Sequence, residues 1–94
     1  MVKVVAKGYF HEGKTEEAIK LYKELVNETR KEDGCIAYNL FRDTKNPSIL
    51  TMIEEWESQE ALDLHMKTKH FTTLVPMISN YRKTSELNIY ELEL

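Results

Sequence analysis

The sequence predicts an α+β domain of ferredoxin-like plan, in which a four-stranded antiparallel sheet carries both helices on one face. Three observations point there. Short β-rich runs alternate with two amphipathic helical stretches in the order βαββαβ. A polar turn of hairpin length joins the two middle strands. The 94 residues make one domain, expected to span 1–94.

Residues 2–10, VKVVAKGYF, read as the first strand, with Gly8 marking a bulge or a close approach. His11 to Lys14 form a turn, and Thr15 is placed to cap the first helix, with Glu16 and Glu17 favourable in its first turn. Ala18, Leu21, Tyr22, Leu25 and Val26 then repeat at the spacing of one helix face. Asp33-Gly34 stops that helix, with glycine free to take the left-handed position. Residues 35–42 and 49–56 are strands joined by the turn DTKNP. Ser58 is the next N-cap. Ala61, Leu62, His65 and Met66 lie at helical spacing, and Phe71, Leu74, Val75 and Ile78 resume the stripe. Lys67-Thr68-Lys69 and Pro76 predict a kink or split near residues 68–76. Residues 85–94 make the last strand.

Composition excludes several functions. The chain is 41 % hydrophobic and 31 % charged, with a net charge of −3. That balance gives no basic face for nucleic acid. No apolar run reaches the roughly 20 residues that span a bilayer. The start, Met1-Val2-Lys3-Val4, lacks the plan of a signal peptide, and one cysteine allows no internal disulfide, so a reducing cytoplasm is expected.

Two helices cover one sheet face, yet the middle strands carry apolar residues on both. Ile36, Tyr38 and Leu40 alternate with Cys35, Ala37 and Phe41; Ile49, Thr51 and Ile53 oppose Leu50, Met52 and Trp56. An uncovered face of this kind exceeds the apolar patch a monomer usually shows, which predicts a homodimer packed sheet against sheet.

The run Glu55-Trp56-x-Ser58-x-Glu60-Ala61-Leu62-x-x-His65, followed by His70-Phe71, resembles the antibiotic biosynthesis monooxygenase domain family, which includes the quinol monooxygenases. Glu32-x-Gly34-Cys35-x-x-Tyr38 resembles the same family, and the similarity covers essentially the whole chain. The resemblance implies a dimeric α+β barrel that oxygenates aromatic polyphenols with neither metal nor flavin. A related haem-degrading group uses an Asn on the first strand, a Trp on the second helix and a His beyond it. Here Ala6 and Lys7, His65 and Val75 stand at about those places, so haem degradation is not expected.

His65 is the candidate catalytic residue. A cofactor-free oxygenase needs a group to take the hydroquinone proton, and a neutral imidazole in an apolar pocket does that. The structural alternative is a helix histidine satisfied by a backbone or carboxylate partner. Trp56, Phe71, Met66, Tyr38 and Arg42 are candidate contacts for a small aromatic ligand. Trp56 can stack on a planar guest or simply pack in the core. Phe71 and Met66 can line an apolar site or fill the helix core. Tyr38 and Arg42 share a strand face, and Arg42 can anchor a carboxylate or end its strand in solvent.

No metal site is expected. A separation of five puts His65 and His70 on different sides of a regular helix, and no acidic residue completes a triad by spacing. Cys35 reads as a small hydrophobe. Glu54, Glu55, Glu57 and Glu60 read as a solvated strand-to-helix corner.

Overall fold

The computed structural model describes residues 1–94. Its elements are β1 (Val2–Phe10), α1 (Thr15–Thr29), β2 (Cys35–Arg42), β3 (Ile49–Trp56), α2 (Gln59–His65), α3 (Lys69–Ser79) and β4 (Arg82–Glu91). The strands form one antiparallel sheet in the order β2-β3-β1-β4, so the ferredoxin-like plan stands. No helix is long and apolar enough to cross a membrane.

The first three strands keep their expected bounds, and β4 does not. It starts at Arg82 because that residue pairs with Phe10 across a register shift after Tyr9, and it stops at Glu91. Gly8 shows the close approach its position implied: a Cβ there would lie 2.6 Å from the Phe10 ring.

The core fills the space between the sheet and the helices. Val2 and Val4 of β1 and Leu50, Met52 and Trp56 of β3 meet Ala18, Tyr22, Leu25 and Val26 of α1. Leu62, Leu74 and Ile78 close it from α2 and α3. The predicted stripe of α1 is therefore its buried face, except that Leu21 is only half-buried and Thr29 joins the interior.

Three local expectations are corrected and a fourth in part. Lys14, not Thr15, occupies the cap of α1, and no side chain caps it. The helix ends at Thr29, and Gly34 takes its left-handed φ of 85° in the turn that enters β2. In β2 a bulge leaves Ile36 out of the ladder. That extra residue reverses the alternation. Ile36 is therefore 50 % exposed, while Cys35 joins the face of Tyr38 and Leu40 against the core. The second helical stretch splits at Met66–Thr68, where Lys67-Thr68-Lys69 signalled a break, and Pro76 sits inside α3 without splitting it.

Thr68 makes that split. Its extended backbone (ψ 156°) cannot continue a helix. Its hydroxyl donates to the His65 carbonyl at 2.7 Å, closing α2, and accepts from the Phe71 N–H at 3.3 Å, capping α3. Ser58 caps α2 as expected, accepting from the Ala61 N–H at 3.1 Å.

The turn at residues 30–34 is fastened to α2. The Gly34 carbonyl accepts from the Glu57 N–H at 2.9 Å. A Cβ on Gly34 would lie 2.6 Å from the Ala61 Cβ. Gly34→Ala therefore suffers both a disallowed φ and a clash, and should lose about 1–3 kcal/mol of stability in urea denaturation. A variant as stable as the parent would show that the turn can move away from α2.

Candidate functional site

A cavity of about 190 Å³ lies between the sheet and the helices. A single water occupies about 10–15 Å³ of such space. Thirteen of its nineteen lining residues are hydrophobic, so it favours an apolar guest. Met66, Phe71, Val75 and Ile78 line it from the α2–α3 side, Tyr38 and Met52 from the sheet. Leu87 and Ile89 of the edge strand complete it, and both stay substantially exposed because no helix reaches over β4.

Polar side chains line it too, among them His65, Tyr38, Glu54 and Arg82. His65, the last residue of α2, is buried and faces the cavity. Its Nδ1 lies 2.8 Å from Oε2 of Glu32. An ionised carboxylate only accepts, so Nδ1 carries the proton and Nε2 keeps its lone pair. That Nε2 is buried and has no hydrogen-bond partner within the protein. Leaving such an acceptor bare costs about 1–3 kcal/mol, which singles it out among the buried polar atoms. Burial pushes the imidazole below its ordinary pKa, and the Glu32 carboxylate opposes this.

An aromatic cage holds the ring. The Trp56 ring lies tilted against it with centroids 4.6 Å apart, while Tyr38 and Phe71 meet it edge-on at 5.3 and 5.0 Å. Trp56 is wholly buried behind His65 and does not line the cavity, so it positions the histidine and does not stack on a guest. Tyr38, Met66 and Phe71 do line it. Burial raises the Tyr38 phenol far above its ordinary range, so it stays protonated.

Arg42 lies outside the cavity. It is exposed and pairs with Glu16 of α1 at 3.0 Å. Arg42 ends β2 and its guanidinium is taken up by Glu16 in the first turn of α1, so sharing a face with Tyr38 was not enough. Arg82, at the start of β4, lines the cavity beside Tyr22, where its charge partly offsets the rise that burial causes in that phenol's pKa.

Glu54 is the second correction. It is 6 % exposed and lines the cavity, where the corner reading had placed it in water. Its oxygen accepts from the Trp56 indole N–H at 3.0 Å. Burial pushes its carboxyl up to about 7, against the pull of that hydrogen bond. The alternation of β3 carried the signal: Leu50, Met52, Glu54 and Trp56 share one face.

His70 is the third. Its Nε2 lies 2.6 Å from the same Glu32 oxygen that holds His65. The break at Met66–Thr68 rotates α3 so that a separation of five no longer puts the two rings apart. The acidic partner comes from the α1–β2 turn, 33 residues from His65. The three donor atoms lie within 4.8 Å of one another, the reach of one metal ion.

Glu54 makes stability depend on pH. Its folded pKa is above its unfolded value of 4.5, so the native state binds more protons between about pH 4.5 and 7. Stability contributed by the neutral carboxyl is lost as pH rises through that window, by at most about 3 kcal/mol. His65, with a lowered pKa, acts in the opposite sense below its ordinary value. Comparing Glu54→Gln with the parent isolates the first effect. Urea denaturation at pH 5 and pH 7.5 should show the variant gaining on the parent at the higher pH; an unchanged difference would mean that Glu54 is ionised throughout.

The family model described as antibiotic biosynthesis monooxygenase matches residues 1–76. A crystal structure described as an antibiotic biosynthesis monooxygenase is 38 % identical, with a TM-score of 0.94 and all of each chain covered. A conserved protein of Methanosarcina mazei is 40 % identical with a TM-score of 0.96, covering 98 % of this chain and 92 % of that one. An uncharacterised protein of Synechocystis is 31 % identical over 80 residues, which are 84 % of this chain and 54 % of that protein, so the chain spans about half the length of that relative. With its strand order, its helix-covered face and a family match over most of its length, this chain belongs to the antibiotic biosynthesis monooxygenase family.

Proposed function

We propose that this protein is a cofactor-independent monooxygenase that oxidises a hydroquinone or similar polyphenol with O₂. The observation that carries the proposal is the bare, buried Nε2 of His65, a histidine that lines an apolar cavity. Membership of the family supports oxygenation.

A hydroquinone hydroxyl placed against Nε2 gives up its proton to the imidazole. The Glu32 carboxylate at Nδ1 then stabilises the imidazolium. The electron-rich anion passes one electron to O₂, and the resulting semiquinone and superoxide join to form a C–O bond. Loss of water from the hydroperoxide leaves the hydroxyquinone. The sum is hydroquinone plus O₂ giving hydroxyquinone plus water, with all electrons supplied by the substrate. Glu54 shares the cavity and can donate a proton to the departing oxygen. The apolar walls shield the radical pair from water.

The assay is O₂ consumption with reduced naphthoquinols and polyphenols, after subtracting autoxidation. His65→Ala should lower kcat by about 10²–10⁴-fold. Normal turnover in that variant would remove His65 from the mechanism. No uptake across the panel, with binding of the same quinols retained, would make the protein a ligand carrier.

We also propose that two copies pair through the outer sheet face, within the cytoplasm that the single cysteine favours. Phe41 and Tyr90 are each 50 % exposed, and Phe41 stands on that face beside Thr51. Lys3 and Glu55 pair there at 3.2 Å. Sedimentation should give a dimer for the parent and a monomer for Phe41→Glu; a monomeric parent would end this reading.

A further inference from the structure

Glu32, His65 and His70 come from three different segments and converge with unusual economy. One oxygen, Oε2 of Glu32, lies 2.8 Å from His65 Nδ1 and 2.6 Å from His70 Nε2. The side chains are 14 %, 1 % and 21 % exposed, so the cluster is sheltered and is reached from the His70 side. Two imidazoles and one carboxylate are the donor set that three-coordinate protein sites offer to Zn²⁺, with a fourth position left open. Tetrahedral bonds of about 2.0–2.1 Å put donor atoms about 3.3 Å apart, so the carboxylate oxygen needs to move only about half an ångström or slightly more from each imidazole nitrogen, and all three donors already lie within 4.8 Å of one another.

We infer that Glu32, His65 and His70 form an inhibitory Zn²⁺ site that disables His65 as a base. The reason is tautomeric. The hydrogen-bonded cluster keeps the proton of His65 on Nδ1 and leaves the lone pair of Nε2 unpaired. A metal on Nδ1 needs that nitrogen's lone pair, so the ring proton moves to Nε2. Nε2 is then a donor and accepts no proton from a substrate. His70 makes the same exchange, releasing Nε2 to the metal and taking its proton on Nδ1. Both imidazoles stay neutral and no proton is lost. The inhibition rests on the proposed role of His65; the binding itself does not.

Binding is measured by calorimetric titration of the full chain with ZnCl₂ at pH 7.5, with ¹⁵N NMR of the imidazoles in parallel. One equivalent should bind, and the His65 proton should move from Nδ1 to Nε2. Glu32→Gln and His70→Ala should each weaken binding by more than about tenfold. Cys35→Ser should not. Absence of binding, binding that survives Glu32→Gln and His70→Ala, or a His65 proton that stays on Nδ1 would each overturn the site. If the quinol assay gives turnover, Zn²⁺ should abolish it in the parent and spare what activity His70→Ala retains. Full turnover with the site occupied would overturn the inhibitory role while leaving the site.

Discussion

A single carboxylate oxygen fixes the state of this site. Glu32 Oε2 accepts from both His65 and His70, and the first of those bonds decides which nitrogen of His65 is left without a partner. Glu32 lies on a turn that would be free to move if nothing held it. Gly34, two residues on, is pressed against Ala61 and bonded to Glu57. The turn is thus built onto the same short helix that ends in His65. The carboxylate and the imidazole keep their distance because one packing contact positions both.

The helix break has the same consequence from the other side. A continuous helix from Gln59 to Ser79 would carry His70 away from His65. Thr68 ends one helix and begins the next with one hydroxyl, and this brings the second imidazole round. The broken stretch also opens the wall where Met66 and Phe71 meet the cavity. Local capping chemistry therefore shapes a functional feature 33 residues from the turn that completes it.

The rest of the site follows from the sheet's alternation. Trp56 and Glu54 stand on the same face of β3, so the indole N–H reaches the carboxylate and its ring backs the imidazole. A buried acid and a desolvated histidine in one cavity are costly for a small domain, whose net stability is only about 5–15 kcal/mol. The hydrogen bonds from Trp56 and to Glu32 reduce that cost without quenching Nε2.

The sequence alone determined the element order, the hairpin, the helix faces and the Ser58 cap, because periodicity and turn chemistry are local. It also singled out His65, since a histidine on an apolar helix face stands out. It left Arg42 in the site, because face parity cannot tell that its charge is taken up by Glu16 of α1. Glu54 was legible in the alternation of β3 but was masked by the acids around it. What only the tertiary structure decided was the company of His65: Glu32 from a distant turn and His70 from across a helix break. Linear spacing assumes one regular helix and says nothing of residues 33 apart in the chain. Packing the turn against α2 is a three-dimensional event, and it sets the tautomer on which the chemistry rests.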